Sequence, residues 1–351
     1  MVDLMIYGAS GFTGALIAER AQGAAERSGT PVLAGRDPGK VGALADRLGM
    51  PWVAFGLDDA AALRRHLDGV RVVLNCAGPF SRTAAPLVAA CLETGTQYVD
   101  ITGEIAVFEH IAAQDAAARQ AGVVLLPGAG FDVVPSDCLA AHLKRRLPGL
   151  TRLRLSISGL TRPSRGTART ALEALGQGTA VRRGGRIVVL DTPPRGRADF
   201  GSGPVDTIGI GWGDVATAWR STGAPDIEVM FAATAPLRAV SRVPAALRPV
   251  LRSAPVQRVL TRMVDRRATG PSADQRRTGR ARLLGEGWDA DGTRVAALME
   301  TPEPYALTAR TALSLAHRIG SGEASAGYQT PATAFGPDLA LDFEGIRRWD
   351  V

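Results

Sequence analysis

The sequence predicts an α/β fold in which a doubly wound parallel sheet is followed by a second, α+β domain with a largely antiparallel sheet. Over residues 1–146, short apolar runs alternate with amphipathic helical stretches, which is typical of parallel strands joined by crossover helices. After Pro148 the pattern changes, and Leu153–Leu160 alternates like a strand with one solvated face. Asp289–Gly292 then separates two apolar runs as a hairpin turn does. A chain of 351 residues is long enough for two such domains.

The elements of the first domain follow from its apolar runs and from the residues that begin its helices. Val2–Tyr7 is an apolar run with one charge, as expected of a strand buried on both faces. Asp37 is a suitable N-cap for a helix that extends to about Leu48. The other predicted strands are Pro31–Ala34, Trp52–Phe55, Arg71–Asn75, Gln97–Val99 and Val123–Leu126. The other predicted helices are Phe12–Ala25, Asp58 or Asp59 to Leu67, Thr83–Glu93, Glu104–Gln120 and Pro135–Leu147.

The second domain is predicted from shorter and more widely spaced strand candidates. These are Leu153–Leu160, Ile187–Leu190, Ile227–Thr234, Arg280–Trp288 and Arg294–Thr301. Tyr305–Ile319 is a last long helix, which we expect to return to the first domain. The predicted division is therefore a cofactor domain over 1–148, a substrate or dimerisation domain over 149–303, and a helix with a tail over 304–351 that return to the first domain.

The composition is that of a folded globular protein, with 46% hydrophobic and 21% charged residues. The net charge of +7 is carried mostly by arginine, since the lysines are Lys40 and Lys144. Arginine in place of lysine fits either a habit of the source genome or attraction to a phosphorylated cofactor, an acidic carrier protein or an anionic membrane. The basic residues are not interleaved with aromatic ones, so we do not expect nucleic acid as a partner.

The chain gives no sign of a metal site, a disulfide framework or export. Its 3 cysteines and 4 histidines are too widely spaced for metal ligation or a CxxC motif. The N-terminus has no basic region followed by an apolar core, and no apolar run reaches the ~18 residues of a spanning helix. We therefore expect a cytoplasmic protein.

A glycine-rich loop lies between the first predicted strand and the first predicted helix. The spacing of Gly8, Gly11 and Gly14 is the fingerprint of a Rossmann dinucleotide-binding domain, and the strand–loop–helix order makes it specific. The first glycine permits the turn, the second lets the backbone approach the pyrophosphate, and the third lets the helix pack closely. The N-terminus of the helix attracts phosphates. The predicted contacts of this loop are Gly8, Ser10, Gly11, Phe12, Thr13 and Gly14.

The end of the second strand predicts which dinucleotide binds. An acidic residue at this point contacts the ribose hydroxyl of NAD, whereas an arginine suits the 2′-phosphate of NADP. Arg36 holds this position behind Gly35, and its planar, permanently charged fork matches a phosphate. Asp37 is better used as a helix cap, and Lys40 lies one turn further on. The sequence therefore predicts NADP(H).

Small residues follow the fourth and fifth strands, at the edge where ligands bind in open parallel sheets. They provide room for the ribose and the nicotinamide, and Cys76 fits a small buried residue better than a nucleophile. The predicted contacts are Cys76, Ala77, Gly78, Pro79, Phe80, Thr102 and Gly103.

Two reductase families with similar glycine loops are excluded. Short-chain dehydrogenases use a Tyr four residues before a Lys, and Arg36 and Ala140 hold those positions here. N-acetyl-glutamyl-phosphate reductases need a cysteine and a histidine in the second half, where no cysteine follows Cys138.

Instead, the motifs of the chain resemble those of saccharopine dehydrogenase-like oxidoreductases, and within that group the trans-acting enoyl reductases. The residues that carry this resemblance are Gly8–Gly14, Ala34–Arg36, Asn75–Phe80, Tyr98–Glu104, Gly128–Asp137, Gly270–Ser272, Tyr305–Ala309 and Thr330–Ala332. The resemblance implies reduction of a carbon–carbon double bond in an acyl or polyketide chain, either free or tethered to a carrier. It also implies an acyl carrier protein or a polyketide synthase as a partner.

Enoyl reduction needs a hydrogen-bond donor for the developing oxyanion and a proton source. Candidates at the ligand edge of the sheet are Tyr98, Asp100, Glu104, Asp132 and Tyr305. Each also has a structural interpretation, such as fixing a turn, capping a helix or filling the core.

Two further points stay open. The segment Val243–Val264 mixes apolar residues with arginines, which fits a solvated helix pair or a surface for a membrane or a carrier protein. A homodimer also stays open.

The alternative functions are an imine or amino-acid reductase, for which Arg162, Arg165 and Arg169 could bind substrate carboxylates, and a non-catalytic NADP-binding sensor or scaffold.

Overall fold

The computed structural model describes residues 2–23, 29–160, 162–174, 178–243, 250–251, 253–267 and 269–351. Its residues cluster into two compact units, of which the first contains Met1–Val134 and Tyr305–Phe335. The second contains Pro135–Pro304 and Gly336–Val351. Of the basic segment Val243–Val264, residues 244–249 and 252 lie outside the described ranges.

Strands alternate with helices in the first unit and predominate in the second. The strands are β1 Val2–Tyr7, β2 Val32–Gly35, β3 Trp52–Ala54, β4 Val70–Asn75, β5 Gln97–Asp100, β6 Val124–Leu126, β7 Arg152–Ser158, β8 Thr179–Arg183, β9 Arg186–Leu190, β10 Arg195–Asp199, β11 Pro204–Gly209, β12 Asp226–Ala232, β13 Arg280–Trp288, β14 Arg294–Pro302, β15 Gly327–Tyr328 and β16 Arg347–Asp350. The helices are α1 Phe12–Gln22, α2 Pro38–Leu48, α3 Ala60–Leu67, α4 Phe80–Thr94, α5 Ile105–Ala112, α6 Asp115–Ala121, α7 Val134–Arg146, α8 Arg165–Ala174, α9 Asp214–Thr222, α10 Ala235–Ser241, α11 Ala254–Arg267, α12 Ala273–Thr278, α13 Pro304–Gly320 and α14 Pro331–Phe335.

The first unit is built on a parallel sheet that comprises 7 strands within the described ranges, in the order β15-β6-β5-β4-β1-β2-β3. The chain runs outward from β1 to β3, and then starts again on the other side of β1 with β4. This reversal opens a crevice at the carboxyl ends of β1 and β4, where open α/β sheets bind their ligands. Apolar side chains such as Tyr7, Leu87 and Val73 form the core beneath it.

The second unit is built on a mixed sheet with the order β10-β11-β12-β7-β13-β14-β16, and β8 and β9 extend it beside β12. The pairings are antiparallel apart from the parallel pair β12–β7. Helix α7 packs against it closely, because a Cβ at Gly285 would lie 2.8 Å from the side chain of Leu143. The predicted fold class, a parallel sheet followed by an α+β domain with a largely antiparallel sheet, is confirmed.

Three local features differ from the sequence analysis. The helix predicted over Glu104–Gln120 is two helices, α5 and α6. The break gives α6 its own start at Asp115, whose carboxylate accepts the N–H of Tyr328 at 2.8 Å and so anchors β15. The segment 182–204 contains the predicted strand Ile187–Leu190 as β9, and it also contains β10, which was not predicted.

The third difference concerns the chain's tail. Residues 336–351 were assigned with α13 to the first domain, yet they lie in the second unit because β16 pairs with β14. Helix α7, assigned to the first domain by the bound at 148, also clusters with the second unit from Pro135 onward. Residues Tyr305–Ile319 cluster with the first unit.

Candidate functional site

The glycine loop after β1 is held in a shape that only glycine permits at two of its positions. Gly8 has a φ of +80°, and a Cβ there would lie 2.6 Å from the backbone nitrogen of Ala77. A Cβ at Gly14 would lie 2.4 Å from the carbonyl oxygen of Gly8, so α1 begins in direct contact with the end of β1. The first glycine thus brings the loop against the segment after β4, and the last packs the helix.

The middle of this loop is open to a ligand. Gly11 is the N-cap of α1 and has no side chain with which to cap the first turn, and both Ser10 and Gly11 are exposed. The N-terminus of α1 therefore presents backbone N–H groups and the positive end of the helix dipole at the crevice. A pyrophosphate fits this arrangement.

The loop after β2 separates the roles of its charged residues. Asp37 caps α2 by accepting the N–H of Lys40 at 3.2 Å, and its carboxylate also pairs with the Lys40 ammonium at 3.1 Å. Arg36 is exposed, and its charge partly offsets the burial that raises the pKa of Tyr7. Behind it, a Cβ at Gly35 would lie 2.9 Å from Val41. Of the two basic residues here, Arg36 is thus the one that is not engaged by Asp37.

A buried polar network lies beneath the loops after β4 and β5. The Asn75 amide accepts the N–H of Ala77 at 3.0 Å and donates to the Tyr98 hydroxyl at 3.2 Å. That hydroxyl donates to the Asp100 carboxylate at 2.8 Å. Asp100 also accepts the N–H groups of Thr102 and Gly128, both at 2.9 Å. The network therefore ties together the ends of β4, β5 and β6.

Burial raises the pKa of Asp100 to about 6, although the hydrogen bonds from Thr102, Gly128 and Tyr98 oppose the shift. Asp100 and Tyr98 are fully buried. Their contacts give them a positioning role at the edge of the sheet. A direct catalytic role for either stays a prediction.

Glu104 joins two of the loops. Its carboxylate accepts the N–H groups of Phe80 and Ser81, each at 2.9 Å, and so caps α4 rather than its own helix. The N–H of Glu104 in turn donates to the Thr102 hydroxyl at 3.1 Å. Since a carboxylate already caps α4, the N-terminus of α1 is the better phosphate site of the two.

Asp132 lies on the loop between β6 and α7, with its carboxylate against the backbone of the β5 loop. A Cβ at Gly103 would lie 3.0 Å from an Asp132 carboxylate oxygen, so glycine is needed there for the approach. The residue is partly exposed, yet burial of the carboxyl group raises its pKa to about 7. At neutral pH this carboxyl can therefore both hold and release a proton.

The first turns of α13 connect this loop with the glycine loop. The Thr308 hydroxyl accepts the N–H of Phe131 at 3.0 Å, beside Asp132. One turn earlier, the ring of Tyr305 packs edge-on against Phe12, with 5.1 Å between ring centroids. The structure thus brings together the predicted residues Phe12, Gly103, Asp132 and Tyr305.

Thr308 and Asn75 were not among the predicted site residues. The only available signal for Thr308 was its position, since it lies three residues after Tyr305 and thus on the same face of the helix. Its partner, the Phe131 N–H, is distant in sequence. Asn75 was quoted within a motif, but its bridging role depends on the neighbouring strand.

The structure also bears on Cys76, on metal-binding groups and on membrane-spanning helices. Cys76 is buried, and burial raises the pKa of its thiol well above the ordinary value, so it remains protonated. In the described part of the chain, no group of three or more His, Cys, Asp or Glu side chains could hold a metal ion. None of the described helices is both long and apolar enough to cross a bilayer.

Comparison with known proteins supports the assignment of this edge as a cofactor site. Residues 4–126 match the family described as saccharopine dehydrogenase NADP binding domain. The trans-acting enoyl reductase of Mycobacterium ulcerans is 34% identical over 154 residues, which are 41% of this chain and 36% of that protein. The saccharopine dehydrogenase-like oxidoreductase of Mus musculus is 32% identical over 164 residues, which are 42% and 38%. The match thus spans little more than a third of these relatives.

Two solved structures share the fold over the whole chain. Saccharopine dehydrogenase (L-Glu forming) from Saccharomyces cerevisiae has a TM-score of 0.66 with 13% identity, and covers 100% of both chains. Homospermidine synthase from Legionella pneumophila, in complex with NAD, has a TM-score of 0.67 with 9% identity, and covers 100% of this chain and 91% of its own.

The matches define a class of domain. The predicted resemblance to saccharopine dehydrogenase-like proteins is confirmed, as is NADP(H) as the cofactor. Residues 4–126 match an NADP-binding domain of the saccharopine dehydrogenase type, and the relatives matched over this region are named as reductases or oxidoreductases.

Proposed function

We propose that this chain is an NADPH-dependent reductase of the carbon–carbon double bond in an α,β-unsaturated acyl thioester. The observation that carries the proposal is the position of the Asp132 carboxyl group, which lies against Gly103 at the same sheet edge as the glycine loop. Burial raises the pKa of this group to about 7. The relatives named trans-acting enoyl reductase support this reaction over the region they match.

The reaction divides between the cofactor and the protein. NADPH held at this edge would supply a hydride, that is, two electrons and a hydrogen, to the β-carbon of the substrate and would be oxidised to NADP⁺. The electron pair of the double bond moves toward the thioester oxygen, and the α-carbon then takes a proton. We assign that proton to the Asp132 carboxyl group, which is left as a carboxylate and is reprotonated from solvent.

The remaining residues bind and position. Arg36 contacts the 2′-phosphate, and Gly8 and Gly11 let the pyrophosphate approach the N-terminus of α1. Asp100 and Glu104 hold the loops that would face the nicotinamide end of the cofactor. Tyr305 braces Phe12 at the start of α1 and stays a candidate donor to the thioester oxygen.

The substrate and partner follow from the reaction class. An unsaturated acyl group attached to a small thiol or to an acyl carrier protein is the proposed substrate, and a polyketide synthase is the proposed partner. An imine or amino-acid reductase is the second enzymatic candidate, and a non-catalytic NADP-binding sensor is the third. The arginines that were named for the imine or amino-acid reductase are exposed, namely Arg162, Arg165 and Arg169.

The three candidates separate in one set of assays. We expect NADPH to be consumed with trans-2-enoyl thioesters of N-acetylcysteamine, with the saturated thioester as product. Consumption instead with an α-keto acid and a primary amine would favour the imine reductase. Tight NADPH binding with no turnover of either substrate class would favour the sensor.

The cofactor assignment has its own test in the Arg36→Asp variant. Loss of a charge-assisted phosphate contact should weaken NADPH binding by about 10- to 100-fold and leave NADH binding nearly unchanged. Binding is followed by cofactor fluorescence. Arg47→Asp, on the exposed side of α2 and paired with Glu19, is the matched control. Equal losses for both cofactors in the Arg36 variant would refute the phosphate role.

A further inference from the structure

Helix α11, Ala254–Arg267, presents an unusual combination of side chains on its exposed face. Arg258, Arg262 and Arg266 recur every four residues and are exposed. Val259 and Met263 lie on the same face, and their exposed fractions are 55% and 45%. Residues four apart are neighbours on a helix, so the two aliphatic side chains lie directly beside the arginines. We call these five residues the α11 face.

The α11 face is strongly basic. Among the ion pairs between described side chains, none involves its three guanidinium groups, and Arg258 donates to the carbonyl oxygen of Ala254 at 3.2 Å. The sequence around it has the same bias. Over residues 238–267, arginine is found at 238, 242, 248, 252, 258, 262, 266 and 267, and the only acidic residue is Asp265.

The helix is continuous along this face. It begins at Ala254 and so places Pro255 in its first turn, where no backbone donor is lost. The inner side chains Val256, Leu260 and Val264 are partly buried. The exposed aliphatic residues are therefore additional to those that pack α11 onto the protein.

We propose that the α11 face binds the surface of a bilayer that contains anionic phospholipids. Such an interface accepts both kinds of side chain at once, because aliphatic groups enter the acyl boundary while guanidinium groups contact lipid phosphates. An acidic protein surface would satisfy the arginines, but it would leave Val259 and Met263 against carboxylates. The helix of 14 residues lies in the plane of the interface, since spanning requires about 20 apolar residues.

The proposal is tested by flotation of the full-length protein with vesicles. Vesicles of phosphatidylcholine with about one third phosphatidylglycerol should bind the protein at low salt, whereas pure phosphatidylcholine vesicles should not. Each arginine near an anionic surface contributes about fivefold in affinity, so R258Q/R262Q/R266Q should weaken binding by about 100-fold. Glutamine keeps a high helix propensity, so α11 should remain folded.

A matched variant separates this face from net charge. R186Q/R195Q/R197Q removes the same charge from exposed positions on β9 and β10, and should bind the vesicles within about twofold of the wild type. Equal losses in the two triple variants would overturn the proposal, because the effect would then be one of overall charge.

The aliphatic residues are tested by V259S/M263S. We expect about a tenfold loss of binding to the anionic vesicles, and this loss should persist when salt screens the arginines. No loss would overturn insertion of the face into the interface. Binding to soluble poly-glutamate through the same arginines, without binding to anionic vesicles, would also overturn the proposal and favour an acidic protein partner.

Discussion

The loops after β5 and β6 each contain a buried carboxyl group, and their surroundings give the two groups different properties. Asp100 accepts two backbone N–H groups and the Tyr98 hydroxyl, and its pKa is about 6 despite full burial. Asp132 packs against Gly103, and burial raises its pKa to about 7. Three donors stabilise the charged form of Asp100 and fix it in place. The comparison indicates that Asp100 holds the site together, while Asp132 is suited to exchange a proton.

The largest effect that tests this difference between Asp100 and Asp132 is expected on catalysis, when Asp132 is replaced. Asp132→Asn keeps the size of the side chain but removes the proton, and should lower kcat by about 10²- to 10⁴-fold with NADPH binding within twofold. The kcat is measured from turnover of an enoyl thioester, and NADPH binding from cofactor fluorescence. The wild-type kcat should also fall as pH rises through about 7, because the carboxyl then loses its proton. A variant that keeps both its rate and this inflection would remove Asp132 from the reaction.

Substitution of the other carboxyl group should act mainly on stability. Asp100→Ala leaves the Thr102 and Gly128 N–H groups and the Tyr98 hydroxyl without their acceptor, and should lower the free energy of unfolding by about 3–5 kcal/mol. Denaturant titration measures this change. The control is Asp3→Ala, whose exposed pair with Arg71 should contribute less than about 1 kcal/mol. If both variants were equally stable, the network would not hold the three strand ends.

A smaller effect is expected at Glu104, which joins the β5 loop to the start of α4. Glu104→Gln keeps one acceptor for the Phe80 and Ser81 N–H groups but loses the favourable charge at the helix N-terminus. We expect a loss of about 1 kcal/mol in thermal or denaturant unfolding. Glu93→Gln, near the opposite end of the same helix, removes an exposed ion pair with Arg64 and should change stability by less than half of that.

The pH dependence of stability tests the raised pKa values of both carboxyl groups. Asp100 and Asp132 have pKa values that are raised on folding, so the native state binds more protons than the unfolded state between about pH 4 and 7. Stability should therefore be greatest near pH 4, as far as these two groups are concerned, and decline as pH rises to about 7. Melting temperature measured against pH checks this decline. In the Asp132→Asn variant the decline should be flatter at its high-pH end, near pH 7. An unchanged slope there would argue against a raised pKa of Asp132.

Much of the cofactor end of the site was predictable, because the necessary information is local. The turn at Gly8, the close packing at Gly14 and the cap at Asp37 involve residues within one strand–loop–helix unit. The assignment of Asp37 to the cap left Arg36 as the predicted phosphate contact, and in the structure Asp37 caps α2 while Arg36 is exposed. The candidate catalytic residues were proposed as a group, since each had an equally good structural role in the sequence.

The different contacts of these candidate catalytic residues depended on the packing of segments that are distant in sequence. Glu104 was a catalytic candidate with helix capping as an alternative interpretation, and its carboxylate caps α4, whose Phe80 lies 24 residues earlier. Thr308 reaches the Asp132 loop over 177 residues. Sequence periodicity reports which face of an element is apolar, and contains no information on which loops meet at the end of a sheet.

The sequence by itself determined the fold class, the dinucleotide loop and the preference for NADP(H), because the backbone requirements of glycine and the charge of Arg36 are properties of single residues in a local context. Only the tertiary structure decided which donors hold Asp100 and how far burial raises the pKa of Asp132. Desolvation and hydrogen bonding depend on everything that surrounds a side chain, and for Asp100 and Asp132 those surroundings come from different strands, loops and the returning helix α13. The tail was decided in the same way, since a short strand joins whichever sheet has an edge free to pair with it.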